Sequence, residues 1–392
     1  MSKEKLIIIF TVLIDVIGLG IIIPVMPAYV ESFNVSALTV TMLFSTFALF
    51  TFLSSPVLGA WSDKIGRRPI LLISILSTSI GWLVFASAHN LVFLFLGRII
   101  DGLAAGNFST AQSSIADLAK DQKERTSSLG AIGAVFGVGF LIGPLLGGIL
   151  SKISDSFPFW FVGALALVNF ILAYFFLPET NKNLDRERKI HWNPLKPLRA
   201  AISDRKLGKL YLIWFIFNFI AVTSNSIFAL YLIGVFNYGA FETGLIFSGV
   251  GLIMAFNQGY ALKNFWLKRF TEKKLIVGAL IIFAAGFFLM AIPKIGFFII
   301  GNIITAFGQS ILRVAITSEV VGEAETKARG QAMGVLMAIM SVAAIVAPLL
   351  AGILFEFKHF LPFIFSALLS LTAFSIVAGR KFTKIDKIIF PV

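Results

Sequence analysis

The chain has 392 residues, of which 58% are apolar, 42 are Phe and only 14% carry charge, for a mean hydropathy of +0.92. A soluble globular protein of this length does not have such a composition, and the absence of cysteine removes disulfides and thiol chemistry from consideration. The formal net charge of +13 would suit a nucleic-acid binder, but its placement along the chain assigns it to membrane topology instead.

Twelve apolar stretches are long enough to cross a bilayer, which takes about 20 helical residues. They fall near 6–28, 39–60, 70–89, 91–116, 128–150, 158–178, 207–233, 241–262, 274–293, 295–318, 328–355 and 360–380. The first is too long for a signal-peptide core and lacks a small-x-small cleavage site, so it is expected to remain as a span. With the N-terminus inside, 28 of the 33 Lys and Arg residues fall in inside segments. Only Lys152, Lys294 and Lys358 lie in outside loops, and Arg98 and Arg313 lie within spans. This bias places both termini in the cytoplasm of a multi-pass protein of the cell (inner) membrane, in contact with its lipids and with no nucleic-acid patch.

Residues recur at a spacing of 204: Gly97 as Gly301, Arg125 as Arg329, Pro144 as Pro348, Gly148 as Gly352, and Pro158-Phe159 as Pro362-Phe363. Two homologous halves follow, with a pseudo-symmetric site expected between them. The expected organisation is all-α: a six-helix bundle over 1–178, a cytoplasmic linker over 179–206 and a second six-helix bundle over 207–392. The linker holds Asp185-Arg186-Glu187-Arg188-Lys189, Pro194 and Pro197, a composition suited to an anionic membrane surface.

Four motifs in the first half carry chemistry. Asp15 in Asp15-Val16-Ile17-Gly18 lies nine residues past Leu6, roughly 14 Å into a ~30 Å core, where a carboxylate is costly and usually functional. The inside loop after span 2 reads Gly59-x-x-x-Asp63-Lys64-Ile65-Gly66-Arg67-Arg68-Pro69. Gly66 permits a tight turn, Asp63 can cap a helix N-terminus, and Arg67 and Arg68 can pair with carboxylates such as Asp117 or with lipid phosphates. In span 4, Arg98 and Asp101 are three apart and so neighbours on one helix face. In span 5, Gly133, Gly137, Gly139, Gly143, Pro144, Gly147 and Gly148 form a small-residue seam that admits a close helix, with a bend possible at Pro144.

The loop after span 2 resembles the signature loop of the major facilitator superfamily. The ending Gly143-Pro144-x-x-Gly147-Gly148 is similar to the span-5 signature of its drug:proton antiporters, and Arg98 to a span-4 arginine shared by proton-coupled members. With Leu177-Pro178-Glu179-Thr180 closing span 6, the first half looks most like the twelve-span drug:proton antiporters, and closest to the tetracycline/proton antiporter subgroup. The resemblance implies the major facilitator fold, export of a small molecule driven by the proton gradient, and no cofactor. It departs at two places. Lys268 replaces the signature aspartate in the second half, so a latch built on that residue belongs to the first half. By ungapped alignment, acidic residues that tetracycline exporters carry in spans 3 and 9 correspond here to Gly81 and Phe283, which argues against a magnesium–tetracycline substrate.

Burial raises an Asp pKa and a neighbouring cation lowers it. No cation lies within a helical turn of Asp15 along the chain, whereas Asp101 has Arg98 beside it, so Asp15 is the expected proton carrier, with Arg98 and Asp101 coupled to it. Candidate cavity residues are Asn107 and Gln112 (span 4), Phe136 and Phe140 (span 5), and Tyr211, Asn218 and Asn225 on one face of span 7. Asn257 and Gln258 in span 8 join them, with Gln309 and Arg313 on the stripe of Thr305 in span 10. The expected function is proton-coupled antiport exporting a small amphiphilic compound, by a monomer. The alternative is an importer or facilitator of an anionic metabolite or metal chelate on the same fold. No metal site is expected. An enzyme is not expected either, because His89, His191 and His359 all lie in loops and no nucleophile–base set is visible. Reporter fusions near Asp121, Asn193 and Lys384 should report cytoplasm and fusions near Asn90 or Asp155 the outside; an outside signal from the central loop would overturn this topology.

Overall fold

The computed structural model describes residues 3–118, 122–181, 184, 198–199, 204, 207–325 and 328–378. Its regular elements are all helical: α1 (Lys3–Glu31), α2 (Ala37–Ile65), α3 (Arg67–Ala86), α4 (Leu91–Leu103), α5 (Asn107–Asp117), α6 (Gln122–Leu150) and α7 (Phe157–Phe176). After the linker, most of which falls outside the described residues, come α8 (Gly208–Phe236) and α9 (Ala240–Phe256). The latter continues through a π-helical run (Asn257–Trp266) into a last turn (Leu267–Arg269). The chain ends with α10 (Glu272–Met290), α11 (Ile295–Glu323), α12 (Arg329–Phe357) and α13 (Leu361–Ala378). Short polar side chains start several of them: Ser36 accepts from Thr39 N at 3.3 Å and Asn90 from Phe93 N at 3.3 Å. Counting α9 with its continuation, ten described helices are long and apolar enough to cross a membrane.

Two expected spans differ in form. Span 4, read as continuous over 91–116, divides into α4 and α5 at Ala104–Gly106. There a methyl group on Gly106 would stand 3.0 Å from the Leu58 side chain and 3.1 Å from Ser74 Oγ. The break coincides with this close packing on α2 and α3, which an apolar run cannot reveal. Span 8, read as ending near 262, runs on to Arg269 because the π-helical turns carry it past its apolar part.

Helices α1–α7 pack among themselves, as do α8–α13, and the two groups meet along α2–α12, α6–α9 and α1–α8. The repeat seen in the sequence is a repeat of contacts. Helices α3 and α4 cross where a methyl on Gly81 would lie 2.8 Å from Gly97 O, and one on Gly97 would lie 2.7 Å from Gly81 O. Helices α10 and α11 cross in the same way, at 2.8 Å for Gly286 against Gly301 O and 2.5 Å for the reverse. Phe159 packs against the Tyr29 ring at 5.2 Å, and Phe363, 204 residues later, against Tyr231 at 4.8 Å. Lipid tails supply no hydrophobic drive between helices, so such close approaches are what hold a membrane bundle together.

Leu at Gly97 or at Gly301 should therefore overpack equivalent crossings, each at a cost of about 1–3 kcal/mol. Ala at Gly278, with open space around it, should cost nothing. Thermal unfolding of the detergent-solubilised variants tests this; a Gly301→Leu protein melting with the parent would break the structural repeat.

Candidate functional site

At the α2–α3 turn the signature loop is tied down by three acids. Arg67 bridges Asp63 Oδ1 at 2.5 Å and Asp117 Oδ2 of α5 at 3.1 Å, and also donates to Ser62 Oγ at 2.6 Å. Asp63, in the last turn of α2, has its charge paired by Arg67. The cap on α3 comes from Glu179, beyond α7. Its carboxylate accepts from Arg67 N at 2.9 Å, Arg68 N at 3.1 Å and Asn181 N at 2.8 Å. Gly66 sits at φ 110° with its Cα hydrogens against that carboxylate, so a side chain there would be both strained and in collision with Glu179. Arg68 donates to Tyr174 O at 2.6 Å and lies over the Tyr174 ring. The sequence offered one sign of the Glu179 cap: an acid directly after Pro178, where the apolar span ends. The second half has a thinner version, with Lys273 at the start of α10 reaching Glu319 of α11 at 3.5 Å.

Deeper in the same half, Arg98 and Asp101 form an ion pair at 3.1 Å, each almost fully buried. Arg98 is also held by Leu43 O at 3.5 Å and by the rings of Phe47 (4.3 Å) and Trp82 (4.9 Å). Thr78 donates to Asp101. Gly81 faces this pair: a methyl there would be 2.9 Å from Asp101 Cβ, which leaves no room for an acidic side chain at this position. In the second half the positions 204 residues on are Asn302 and Thr305, both buried and neutral. Asp15 is half-buried on α1, one turn from Thr11, which donates to Asn169 Oδ1 of α7 at 3.3 Å, and one turn from Gly18, which abuts Val162. Its helix face is thus turned to α7, while Arg98 and Asp101 sit among α2, α3 and α4.

Three of the α6 glycines pack closely on α1. Methyl groups on Gly139, Gly143 and Gly147 would strike α1, at 2.6 Å from Val16, 2.7 Å from Ile17 O and 3.0 Å from Val25 respectively. Gly148 faces α9, where a methyl on it would lie 2.9 Å from Phe241 Cα, and Pro144 touches both neighbours, its ring against Gly20 of α1 and its carbonyl against Gly244 of α9. One short motif thereby fixes α6 to its own half and lays it along the other.

The cavity candidates divide. Gln112, Asn225, Gln258 and Gln309 are half-buried, and Phe140 packs against apolar clusters of both halves. Arg313 has an accessible side chain. Tyr211 and Asn218 are buried within α8–α13. Asn218 donates to Trp214 O of its own helix at 2.8 Å, and Tyr211 lines a cavity of about 290 Å³ with Asp204, Glu323 and Glu325. Their spacing of seven gives one face, which is buried at Asn218, borders that cavity at Tyr211 and is half-buried at Asn225. Asn257 is a structural clamp: it donates to Ser310 Oγ of α11 at 2.5 Å and accepts from Trp266 Nε1 at 2.8 Å, pinning both ends of the π-helical run. The side chains of Asn107 and Phe136 lie outside the described residues.

Two repeated helical groups face each other across a seam, with buried charge in one of them and an ion-paired clasp at a turn. This is the construction of a membrane transporter. A profile of the Major Facilitator Superfamily matches residues 8–265 and 259–384, and the chain belongs to that superfamily, whose members are transporters and not enzymes. It is 29% identical to the tetracycline resistance protein, class C, of Escherichia coli over 354 residues, 89% of each chain. It is 26% identical to the quinolone resistance protein NorA of Staphylococcus aureus over 370 residues, 91% of each. Its fold matches the human organic anion transporter MFSD10 (TETRAN) with a TM-score of 0.73 at 22% identity, over 96% of this chain and 100% of that one.

Glu179→Ala should free two N–H groups of α3 and lower stability by about 0.5–2 kcal/mol. Asp63→Asn should leave the cap and impair transport at near-normal membrane abundance. Lys268→Asn should do much less. Equal transport defects at Asp63 and Lys268 would remove the asymmetry between the halves.

Proposed function

We propose that the protein exports a small, partly hydrophobic compound from the cytoplasm in exchange for protons, by alternating access between its two six-helix halves. The observation that carries this reading is the buried Arg98–Asp101 pair, present in one half and replaced by Asn302 and Thr305 in the other. A bundle needs no intramembrane charge to fold, and its retention at one of two equivalent crossings fits a proton-linked role. The resistance names of the two relatives support a drug-like substrate. The crowding at Gly81 speaks against a magnesium–tetracycline chelate. The protein is read as a monomer in the inner membrane with both termini cytoplasmic, energised by the proton gradient without a cofactor.

In this reading Asp15 carries the proton, and Arg98 keeps Asp101 ionised until its own contacts change. One proton entering across ~100 mV supplies about 2.3 kcal/mol, enough for a roughly 50-fold gradient at ~1.4 kcal/mol per decade. A single carboxylate therefore suffices energetically. The substrate would lie between the halves, against Phe140, Gln112, Asn225, Gln258 and Gln309. The accessible Arg313 favours, as a second reading, an anionic substrate at the same place.

Efflux from energised cells should collapse on adding an uncoupler. Accumulation that runs with the proton gradient would select an importer instead. Asp15→Asn should still bind substrate yet lose uphill efflux and substrate-induced proton release. Asp101→Asn should weaken activity less, and Arg98→Ala should shift the pH dependence of transport. Uphill transport by the Asp15 variant with unchanged proton stoichiometry would move the assignment to Asp101.

A further inference from the structure

The N-terminus of α2 is completed by the other half of the molecule. A helix leaves its first N–H groups without intrahelical partners. Here Ser36, the N-cap, accepts from Thr39 N. The Leu38 N–H donates across the seam to Glu356 Oε1 at 2.9 Å, and the Ser36 hydroxyl also donates to Glu356. Glu356 stands at the end of α12, one turn past Gly352, where a methyl would lie 2.8 Å from Leu38 Cα and collide with Thr41.

The 204-residue repeat maps Glu356 onto Lys152 and Gly352 onto Gly148. Lys152 lies just past α6 and also reaches across the seam, to the N-terminus of α9. An ammonium cannot cap a helix N-terminus, where the dipole is positive. Lys152 instead sits over the Phe241 ring, its Nζ 3.6 Å from the centroid, while α9 is closed by its own Glu242, which accepts from Gly239 N at 3.0 Å. Two equivalent places at the same end of the seam thus carry two different straps, an anion on a helix N-terminus and a cation on an aromatic ring. Both can exist only while α2 lies against α12 and α6 against α9.

We infer that Glu356 and Lys152 are positioning residues that hold the expected outer end of the transporter shut, so that losing either strap raises the outward-open population. The inference rests on the alternating-access part of the proposed function and not on its substrate or direction. A group that bonds in one state and faces water in the other biases the equilibrium by the difference. Loss of a cap of this kind corresponds to about a three- to tenfold shift.

The natural chain contains no cysteine, so single probes can be added without a background. Ile23→Cys on α1, partly buried at the seam, would be labelled with a membrane-impermeant maleimide applied from outside intact cells. Labelling should be slow in the parent and about three- to tenfold faster with Glu356→Ala or Lys152→Ala. Gly352→Ala, which pushes α12 off α2, should also accelerate it. Glu356→Gln, which keeps an acceptor but no charge, should fall between Ala and the parent. Membrane abundance normalises each rate, and no substrate is needed, so an absence of efflux would count against the proposed function without touching this result. Unchanged labelling in both strap variants while Gly352→Ala accelerates it would overturn the inference. So would unchanged labelling in all of them, since the closure would then lie elsewhere.

Discussion

Close approach of helix backbones, made possible by the absence of side chains, is the constraint on which this structure rests. Inside a bilayer, apolar side chains gain nothing by leaving lipid for protein, so helices associate through packing and through the few polar groups that can be satisfied between them. Gly81 on Gly97, Gly286 on Gly301, and Gly139, Gly143 and Gly147 along α1 are positions where one methyl group would force helices apart. Ser79 donating to Gly163 O at 2.8 Å and Ser370 to Leu280 O at 2.8 Å add polar contacts of the same short reach. The rest of the architecture, including where buried charge can sit, follows from which helices these contacts bring together.

Against that symmetric frame the chemistry is asymmetric. Both halves use the same glycine crossing beside the same place on the fourth helix of their repeat. One half fills it with Arg98 and Asp101, enclosed by Phe47 and Trp82, and the other with Asn302 and Thr305. The turns at the opposite end show the same division. The first half carries a three-acid network around Arg67 and a borrowed helix cap, and the second carries the pair Lys273–Glu319. Among the described residues, the charge at the glycine crossing belongs to one half alone.

Much of this was legible in the residues, and the exceptions have physical reasons. Hydropathy gives spans because lipid imposes a length, and the repeat gives the halves because matched glycines mark matched crossings. The α6 seam could be read as packing because glycines four apart share a face whatever surrounds them. Spacing alone could not say which way a face points. Tyr211 and Asn218 share one, yet Tyr211 lines a cavity while Asn218 bonds to its own helix, and Asn257 holds a π-helical run that no apolar pattern announces. The Glu179 and Glu356 caps were hidden for another reason. Each carboxylate serves a helix more than 100 residues away, and a cap borrowed from elsewhere leaves no local signature.

The two faces of α6 have a mechanical consequence. Toward α1 it is keyed, with side chains such as Val16 and Val25 seated over its glycines. Toward α9 it presents main chain to main chain, the Pro144 carbonyl against Gly244 and the Phe140 carbonyl against Gly251. Interlocked side chains must change rotamer before two helices can slip, but bare backbone offers no teeth. The contact of α6 with α9 therefore asks for fewer side-chain rearrangements than its contact with α1 if the two are to shift along each other.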